Sequence, residues 1–246
     1  EIGIPPEVVP HLTFRTVFDD TATRAALAGT DLHCPRFADY ATTLYAYWRA
    51  NLDPNRARRP GPRGQLDGRT VMITGASSGI GRHTALRVAA EGGIPLLVAR
   101  RAEELEKVRA EIEEAGGRAS AYPCDITDAD SVRQLVDTAL AEHGKVDMLV
   151  NNAGRSIRRS IRLSYDRFHD FERTMAINYF AAVRLTLALL PHMARRRFGH
   201  IVNISSIGVQ TNPPRFSAYL ASKAALDAFA RVVASETFGD GITFTT

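Results

Sequence analysis

Cysteine is almost missing from this chain, and the two that occur, Cys34 and Cys124, stand ninety positions apart. That spacing excludes a disulfide-stapled fold and a thiolate metal cluster, and it predicts a reducing, cytoplasmic setting. The seven histidines show no ligand spacing either, so no metal is expected, and His169 reads as a helix-surface or packing residue. Apolar runs of membrane-spanning length are also lacking, because Arg184 breaks the longest, around 181–190. The first residues carry no signal-peptide pattern. No transmembrane segment is expected, which leaves peripheral membrane contact open. Nor is there a large excess of one charge: the formal net charge is +4 over 246 residues, and the arginines are scattered except for two clusters. A nucleic-acid face is not indicated, and an anionic small ligand accounts for the sign equally well.

What is present suffices for a full core, since 45% of the residues are hydrophobic. The chain opens at Glu1 rather than methionine and stops at Thr246 inside a β-like run, so it reads as a piece of something longer. Residues 1–69 hold seven of the twelve prolines and show no strand–helix alternation. Short helical patterns occur at 21–28, with Asp20 or Thr21 as cap, and at 36–50, where Phe37, Tyr40, Leu44, Tyr47 and Trp48 form an aromatic stripe suited to packing on a neighbouring domain. The expected organisation is a partly helical tail of a preceding domain over 1–53, a Pro/Gly/Arg-rich linker over 54–66, and a nucleotide-binding domain over 67–246.

That last domain is organised around Thr74-Gly75-Ala76-Ser77-Ser78-Gly79-Ile80-Gly81, which follows the apolar run Val71-Met72-Ile73 and precedes a helical pattern. A strand, a glycine-rich turn and a helix start in that order form a phosphate cradle, with Gly75, Ser77, Ser78, Gly79, Ile80 and Gly81 as candidate cofactor contacts. Strands and helices then alternate, which predicts an α/β fold: a Rossmann-type doubly wound parallel sheet. The predicted strands are 70–74, 94–99, 119–124, 146–150 and 201–205, with a sixth beginning at 241. Helices are predicted to about 91 and over 103–115, 129–143, 168–195 and 217–238. Right-handed crossovers place the C-terminal ends of all the strands, and the motifs they carry, along one rim.

Strand two ends in Val98-Ala99-Arg100-Arg101, where an NAD enzyme usually offers a carboxylate to the ribose. Two guanidinium groups suit a 2′-phosphate instead, so NADPH is the expected cofactor, with Arg100 ahead of Arg101. Asp125 follows strand three, where it either accepts from an adenine amine or caps a helix; the helix at 129 also has Thr127 and Asp128 as possible caps. Asn151-Asn152-Ala153-Gly154 ends strand four, and Asn152, Ala153 and Gly154 let the backbone approach the ribose. Tyr219 and Lys223 are four apart on a predicted helix, hence on one face. Ser206, thirteen residues earlier, ends strand five. Carbonyl reduction needs a proton donor beside the oxygen that gains charge, and a lysine cation about 4 Å from the phenol is worth roughly 4 kcal/mol to its ionised form. Tyr219 is the candidate acid, with Ser206 holding the substrate oxygen, Lys223 tuning the phenol and Asn178 organising a water that leads protons toward Lys223.

Thr74–Gly81, Asn151–Gly154, Asn178, Ser206, Tyr219 and Lys223 resemble, in order and spacing, the short-chain dehydrogenase/reductase family, over about residues 66–246. The stretches 152–160, 165–175 and 207–219 resemble more closely the bacterial fatty acyl-CoA reductases, in which such a domain stands alone or follows another reductase domain. Residues 1–60, especially Tyr47–Pro54, are similar to the connector of that fused form. The resemblance implies hydride transfer to a fatty acyl-CoA thioester, protonation of its oxygen by Tyr219, and collapse of the hemithioacetal to aldehyde and CoA. The competing expectations are a reductase of aldehydes or ketones and a non-catalytic nucleotide-binding module. Arg155, Arg158, Arg159 and Arg162, with Arg215 and Phe216, are candidate CoA contacts. The family continues past strand six with a substrate-covering segment and a seventh strand that this sequence does not include, so a sheet truncated after six strands is expected. Apolar faces on the helices at 168–195 and 217–238 predict a homodimer or homotetramer.

Overall fold

The structure is a computed structural model and describes residues 19–31, 37–51 and 64–246, which fall into two units divided after Asp53. The first unit contributes helices α1 (Thr21–Leu27) and α2 (Phe37–Asn51). Asp19, rather than either predicted cap, accepts from the Thr21 N–H at 3.0 Å. Along α2, Tyr40, Leu44 and Tyr47 are exposed. Most of the segment read as a linker, 54–63, lies outside the described residues. Its last part is attached to the second unit: the Leu66 N–H donates to the Glu91 carbonyl at 3.0 Å, and Leu66 packs on the core.

The second unit alternates β1 (Thr70–Thr74), α3 (Gly79–Ala90), β2 (Ile94–Ala99), α4 (Ala102–Glu114), β3 (Ser120–Pro123), α5 (Ala129–His143) and β4 (Met148–Asn151). It continues with α6 (Phe168–Met175), a π turn (Ala176–Phe180), α7 (Ala181–Arg196), β5 (Gly199–Asn203), the short α8 (Gly208–Thr211), α9 (Ser217–Glu236) and β6 (Ile242–Thr245). All strands are parallel, in the order β3-β2-β1-β4-β5-β6, so the order reverses between β1 and β4 and opens a crevice at their C-terminal ends. β1 is buried throughout, as a central parallel strand covered on both faces must be. One face carries a core of Met72, Leu96, Leu149, Leu185, Leu189 and Ile201; the other carries Val71, Ile73, Leu97, Leu105 and Ile112.

Several expected limits need correcting, among them the start of β4, which is Met148 and not 146. The fifth strand starts at Gly199, two residues early, because its ladders begin where Gly199 meets Ile242 and His200 meets Met148. Gly199 has no room for a side chain: a Cβ there would lie 2.6 Å from the Met193 sulfur. The helix predicted over 168–195 is not continuous but widens into the π turn. The run Phe168–Arg196 is, by length and composition, apolar enough to cross a membrane, although the sequence reading found no such run. Here it serves as a core helix, with Leu185, Leu189 and Met193 fully buried.

At the N-terminal ends of the central strands, opposite the crevice, Asp147 is completely buried. Its carboxylate accepts from Arg196 Nη2 at 2.6 Å, Lys145 Nζ at 3.1 Å and the Thr70 N–H at 3.0 Å, with Arg69 Nη1 at 3.9 Å. Burial opposes the charge, but Arg196, the Thr70 amide and Lys145 outweigh it and hold the carboxyl below its ordinary value. A carboxyl depressed in this way stabilises the fold above its unfolded pKa of about 3.9 and loses that contribution as pH falls through the folded value. Asp147→Asn should therefore cost about 3 kcal/mol near neutrality. In denaturant melts, the gap from the parent chain should close below about pH 4.

Candidate active site

The crevice between the ends of β1, β2, β3 and β4 is a cleft of about 780 Å³ lined by Gly75, Ser77, Ser78, Arg100, Arg101, Asp125, Asn152, Ala153 and Gly154, among others. Its floor is built by close backbone approach. Gly75 holds φ +67°, in the left-handed region. At Gly81, a Cβ would lie 2.3 Å from the Gly75 carbonyl oxygen and 2.6 Å from Asn152 Nδ2. Only a glycine lets the first turn of α3 sit this deep. Ser78 precedes that turn without a side-chain cap bond, so the orphan amides of the helix start are left for an anion. Ile80 is exposed at the same turn.

Thr74 is a partner that sequence reasoning missed. Its Oγ accepts from the N–H groups of Asn152 and Ala153, both at 3.0 Å, and so stitches the end of β1 to the Asn-Ala-Gly turn. Asn152 is spent largely on the same seam, since its Nδ2 donates to the Thr74 carbonyl at 2.8 Å. Below it, the Asn151 amide donates to Asn203 Oδ1 at 2.9 Å and links β4 to β5. A threonine and two asparagines at strand ends were the available signals.

At the β2 end, Arg100 and Arg101 are exposed and enter no ion pair among the described residues. Asp125 does not cap α5, which Asp128 caps through the Ser131 N–H at 2.7 Å. It closes a turn instead: its Oδ1 accepts from the Thr127 N–H at 3.0 Å and the Thr127 hydroxyl at 2.7 Å, bonds that hold the carboxyl low. Asp125 is among the residues that line the cleft. Cys124 also lines the cleft, but burial, with Asp125 and Asp128 nearby, pushes its thiol up to about 11. Arg155 and Arg173, the latter not anticipated, line the far wall.

Asn178 sits in the π turn, buried, and its side chain closes a two-way clasp on Arg155: Oδ1 accepts from the Arg155 N–H at 2.8 Å and Nδ2 donates to the Arg155 carbonyl at 2.9 Å. Nδ2 also donates to Ser222 Oγ at 2.9 Å on α9, and Ser222 in turn donates to the Tyr219 carbonyl at 2.6 Å. Lys223 is buried on the same helix and donates to the Ile204 carbonyl just past β5. Burial lowers its pKa, with Asp227 opposing the shift. The Cβ position of Gly154 would lie 2.9 Å from Asn178 Oδ1 and 3.7 Å from Lys223 Nζ, so the strand-four turn, the π turn and α9 converge at one point. Ser206 lies three residues past the end of β5, in a loop, with its Oγ accepting from the Gly208 N–H at 3.2 Å. Its neighbour Ser205 donates to Asp227 at 2.8 Å, which ties that loop to α9. Tyr219, half-buried, stands in the first turn of α9. Of the arginines proposed for CoA, Arg159 is taken up by Asp170 at 3.1 Å, whereas Arg155, Arg158 and Arg162 are exposed.

A glycine-cradled crevice at the switch point of a parallel sheet, followed by Asn, Ser, Tyr and Lys on the next elements, defines the dinucleotide-dependent oxidoreductases of the short-chain class. The chain belongs to the short chain dehydrogenase family, whose model matches residues 69–246. It is 57% identical over 183 residues to a fatty acyl-CoA reductase of Acinetobacter baylyi, covering 74% of this chain and 62% of that protein. A fatty acyl-CoA reductase of Mycobacterium tuberculosis is 42% identical over 182 residues, covering 74% and 62%. The chain thus spans less than two thirds of the length of these curated relatives. Among solved structures, a metagenomic short-chain oxidoreductase in complex with NADP matches with TM-score 0.69 and 33% identity over 73% of this chain and 80% of that one. An NAD+-bound xylitol dehydrogenase matches with TM-score 0.69 and 34% identity over 72% and 68%.

Proposed function

We propose that the protein reduces the thioester carbonyl of a fatty acyl-CoA to the aldehyde, using NADPH, with Tyr219 as general acid. The observation that carries this reading is the convergence of the Asn178 amide and the Lys223 ammonium at Gly154, with Lys223 one turn along the helix that bears Tyr219. The acyl-CoA substrate rests on the two reductases to which the chain is similar.

The residues present fit the cofactor: the close approach of Gly81 to the Gly75 carbonyl seats the start of α3 against the glycine turn that lines the cleft, and Arg100 and Arg101, which enter no ion pair among the described residues, line it at the β2 end. Bound NADPH supplies a hydride to the carbonyl carbon. The chain's residues do the rest. The amides of the α3 start hold the pyrophosphate, Arg100 and Arg101 hold the 2′-phosphate, and Ser206 Oγ donates to the substrate oxygen. Tyr219 gives that oxygen its proton, and the Lys223 cation favours the phenolate left behind. Asn178, fixed by Arg155 and Ser222, orders the water through which Tyr219 is reprotonated. The hemithioacetal then expels the CoA thiol. No cysteine nucleophile is used, in keeping with the raised thiol of Cys124.

The test gives the protein NADPH and dodecanoyl-CoA and follows free thiol and aldehyde together. Equal appearance of both with NADPH oxidation supports thioester reduction. Reduction of added dodecanal without thiol release replaces it with a carbonyl reductase, and NADPH binding with no turnover of either favours the non-catalytic module. A second expected result concerns the cofactor: Arg100→Ala with Arg101→Ala should raise the KM for NADPH about 10–100-fold, the worth of one or two charge-assisted bonds. The KM for NADH should change little, and steady-state kinetics with both cofactors check it.

The proposal includes a cytoplasmic setting and a homodimer or homotetramer. Phe180 in the π turn, Leu187 on α7 and Val232 on α9 are large apolar side chains exposed on the surface, as a face between copies would require.

A further inference from the structure

One carboxylate outside the reacting groups ties the two loops on the substrate side together. Asp170, in the first turn of α6, is only 5% exposed. Its Oδ2 accepts from Arg159 Nε at 3.1 Å and Arg167 Nε at 3.0 Å, while Arg167 Nη2 and His169 Nε2 stand 3.5 and 3.4 Å from Oδ1. Arg167 and His169 are close in sequence, so their bonds close only a local turn. Arg159 is different. Its side chain reaches across eleven residues of the loop after β4, and its backbone N–H donates to the Arg215 carbonyl at 2.7 Å.

Arg215 holds φ +75°, an uncommon conformation for a residue with a side chain, which persists only where the surroundings impose it. It leads directly into Phe216, whose carbonyl accepts from the Leu220 N–H at 2.8 Å and opens α9. The Phe216 ring also meets the Tyr219 ring edge-on, with centroids 6.4 Å apart. A continuous path therefore runs from a buried carboxylate on α6, through one arginine, to the backbone that sets where α9 begins. Asp170 belongs to the same helical run as Asn178, so both loops are referred to one element.

We propose that Asp170 is a positioning residue: through Arg159 it clamps the loop 207–216 and so fixes the start of the helix that presents Tyr219. Its consequence for turnover rests on the reading of Tyr219 as the acid, whereas the clamp itself can be read without substrate. Releasing it should let Tyr219 drift by a fraction of an ångström to an ångström, and a misplacement of that size costs up to about 10²-fold in rate. The cradle at β1 and α3 is not part of the path.

The test compares Asp170→Asn, Arg159→Met, their double variant and Arg167→Met with the parent chain. Three quantities are measured: amide hydrogen exchange over 207–220 with NADPH bound, the Kd for NADPH, and turnover of dodecanal and dodecanoyl-CoA. Asp170→Asn and Arg159→Met should each speed exchange over 207–220 and lower kcat about 10–100-fold. The double variant should be no worse than either single one, and the Kd for NADPH should stay within about twofold, since the path leaves the cradle untouched. Arg167→Met should leave exchange and kcat near the parent values. If Asp170→Asn does not fold, Arg159→Met, whose side chain is partly open to solvent, decides alone. Equal effects of Arg167→Met and Arg159→Met, unchanged exchange over 207–220, or a loss of NADPH affinity parallel to kcat would each overturn the clamp. If the parent chain turns over neither substrate, the proposed reaction fails, and the exchange result still decides the clamp.

Discussion

Tyr219→Phe is expected to lower turnover of the acyl-CoA by about 10²–10⁴-fold, the usual worth of a positioned proton donor, while leaving NADPH affinity within a few-fold. The substitution removes one oxygen from a half-buried ring on α9 and leaves the ring's contact with Phe216 in place. The Lys223 ammonium keeps its bond to the Ile204 carbonyl, and Asn178 keeps its clasp on Arg155 and Ser222, so the scaffold of the site does not depend on the phenol. Fluorescence titration with NADPH and a steady-state assay on the same preparation separate the two effects. Turnover within tenfold of the parent value would remove Tyr219 from the proton path and sink the proposed chemistry.

Gly81→Ala should be nearly as damaging by a different route. The added methyl would sit 2.3 Å from the Gly75 carbonyl oxygen, far inside contact distance, and 2.6 Å from Asn152 Nδ2. Neither group can step aside: Gly75 is the turn itself, and Asn152 is bonded to the Thr74 carbonyl. Helix α3 must move away from the strand end, which costs about 1–3 kcal/mol as an overpacked core does. That shift also withdraws the amides meant for the pyrophosphate, so NADPH affinity should fall by more than about tenfold. Gly79→Ala is the matched control: it has φ +54° but nothing within 4 Å of the added carbon, so only backbone strain of about 1–2 kcal/mol is expected. Thermal melts and NADPH titrations on the two variants check the contrast. Equal losses at the two positions would mean that close packing of α3 is not what shapes the cradle.

Elements bounded by strong local signals were legible in the sequence. β1 and β2 lie where their apolar runs place them and α5 covers the expected 129–143, because those limits are set within the segment itself. β5 was misplaced by two residues because a parallel strand's limits depend on its neighbour's register, which no local pattern encodes. The chemistry-bearing residues could be read because their spacing is set by one helix and one cleft. The residues that hold them were harder to read. Thr74 looks like any β-branched strand residue, yet its hydroxyl receives two amides from the turn after β4. Asp147, between Val146 and the strand, resembles a surface charge until Arg69 and Arg196 arrive from two other segments to join its near neighbour Lys145. Asp170 was passed over for the same reason, since its decisive partner comes from the far side of a loop.

The π turn at Ala176–Phe180 has a consequence for how this chain tolerates change. A widened turn is an α-helix carrying one residue too many, and helix energetics alone would favour its removal. Because each helical residue advances about 100° around the axis, deleting one residue there would restore regular winding while turning α6 by that angle relative to α7. The deletion would heal the helix and break the site: Asn178 could no longer face Arg155 and Ser222 while Leu185, Leu189 and Met193 stayed in the core. The surplus residue thus acts as a phase adjuster, letting one helical run satisfy two patterns that a regular helix would force into conflict. Shortened variants of this turn should fold well and fail at chemistry, the reverse of what a defect in packing produces.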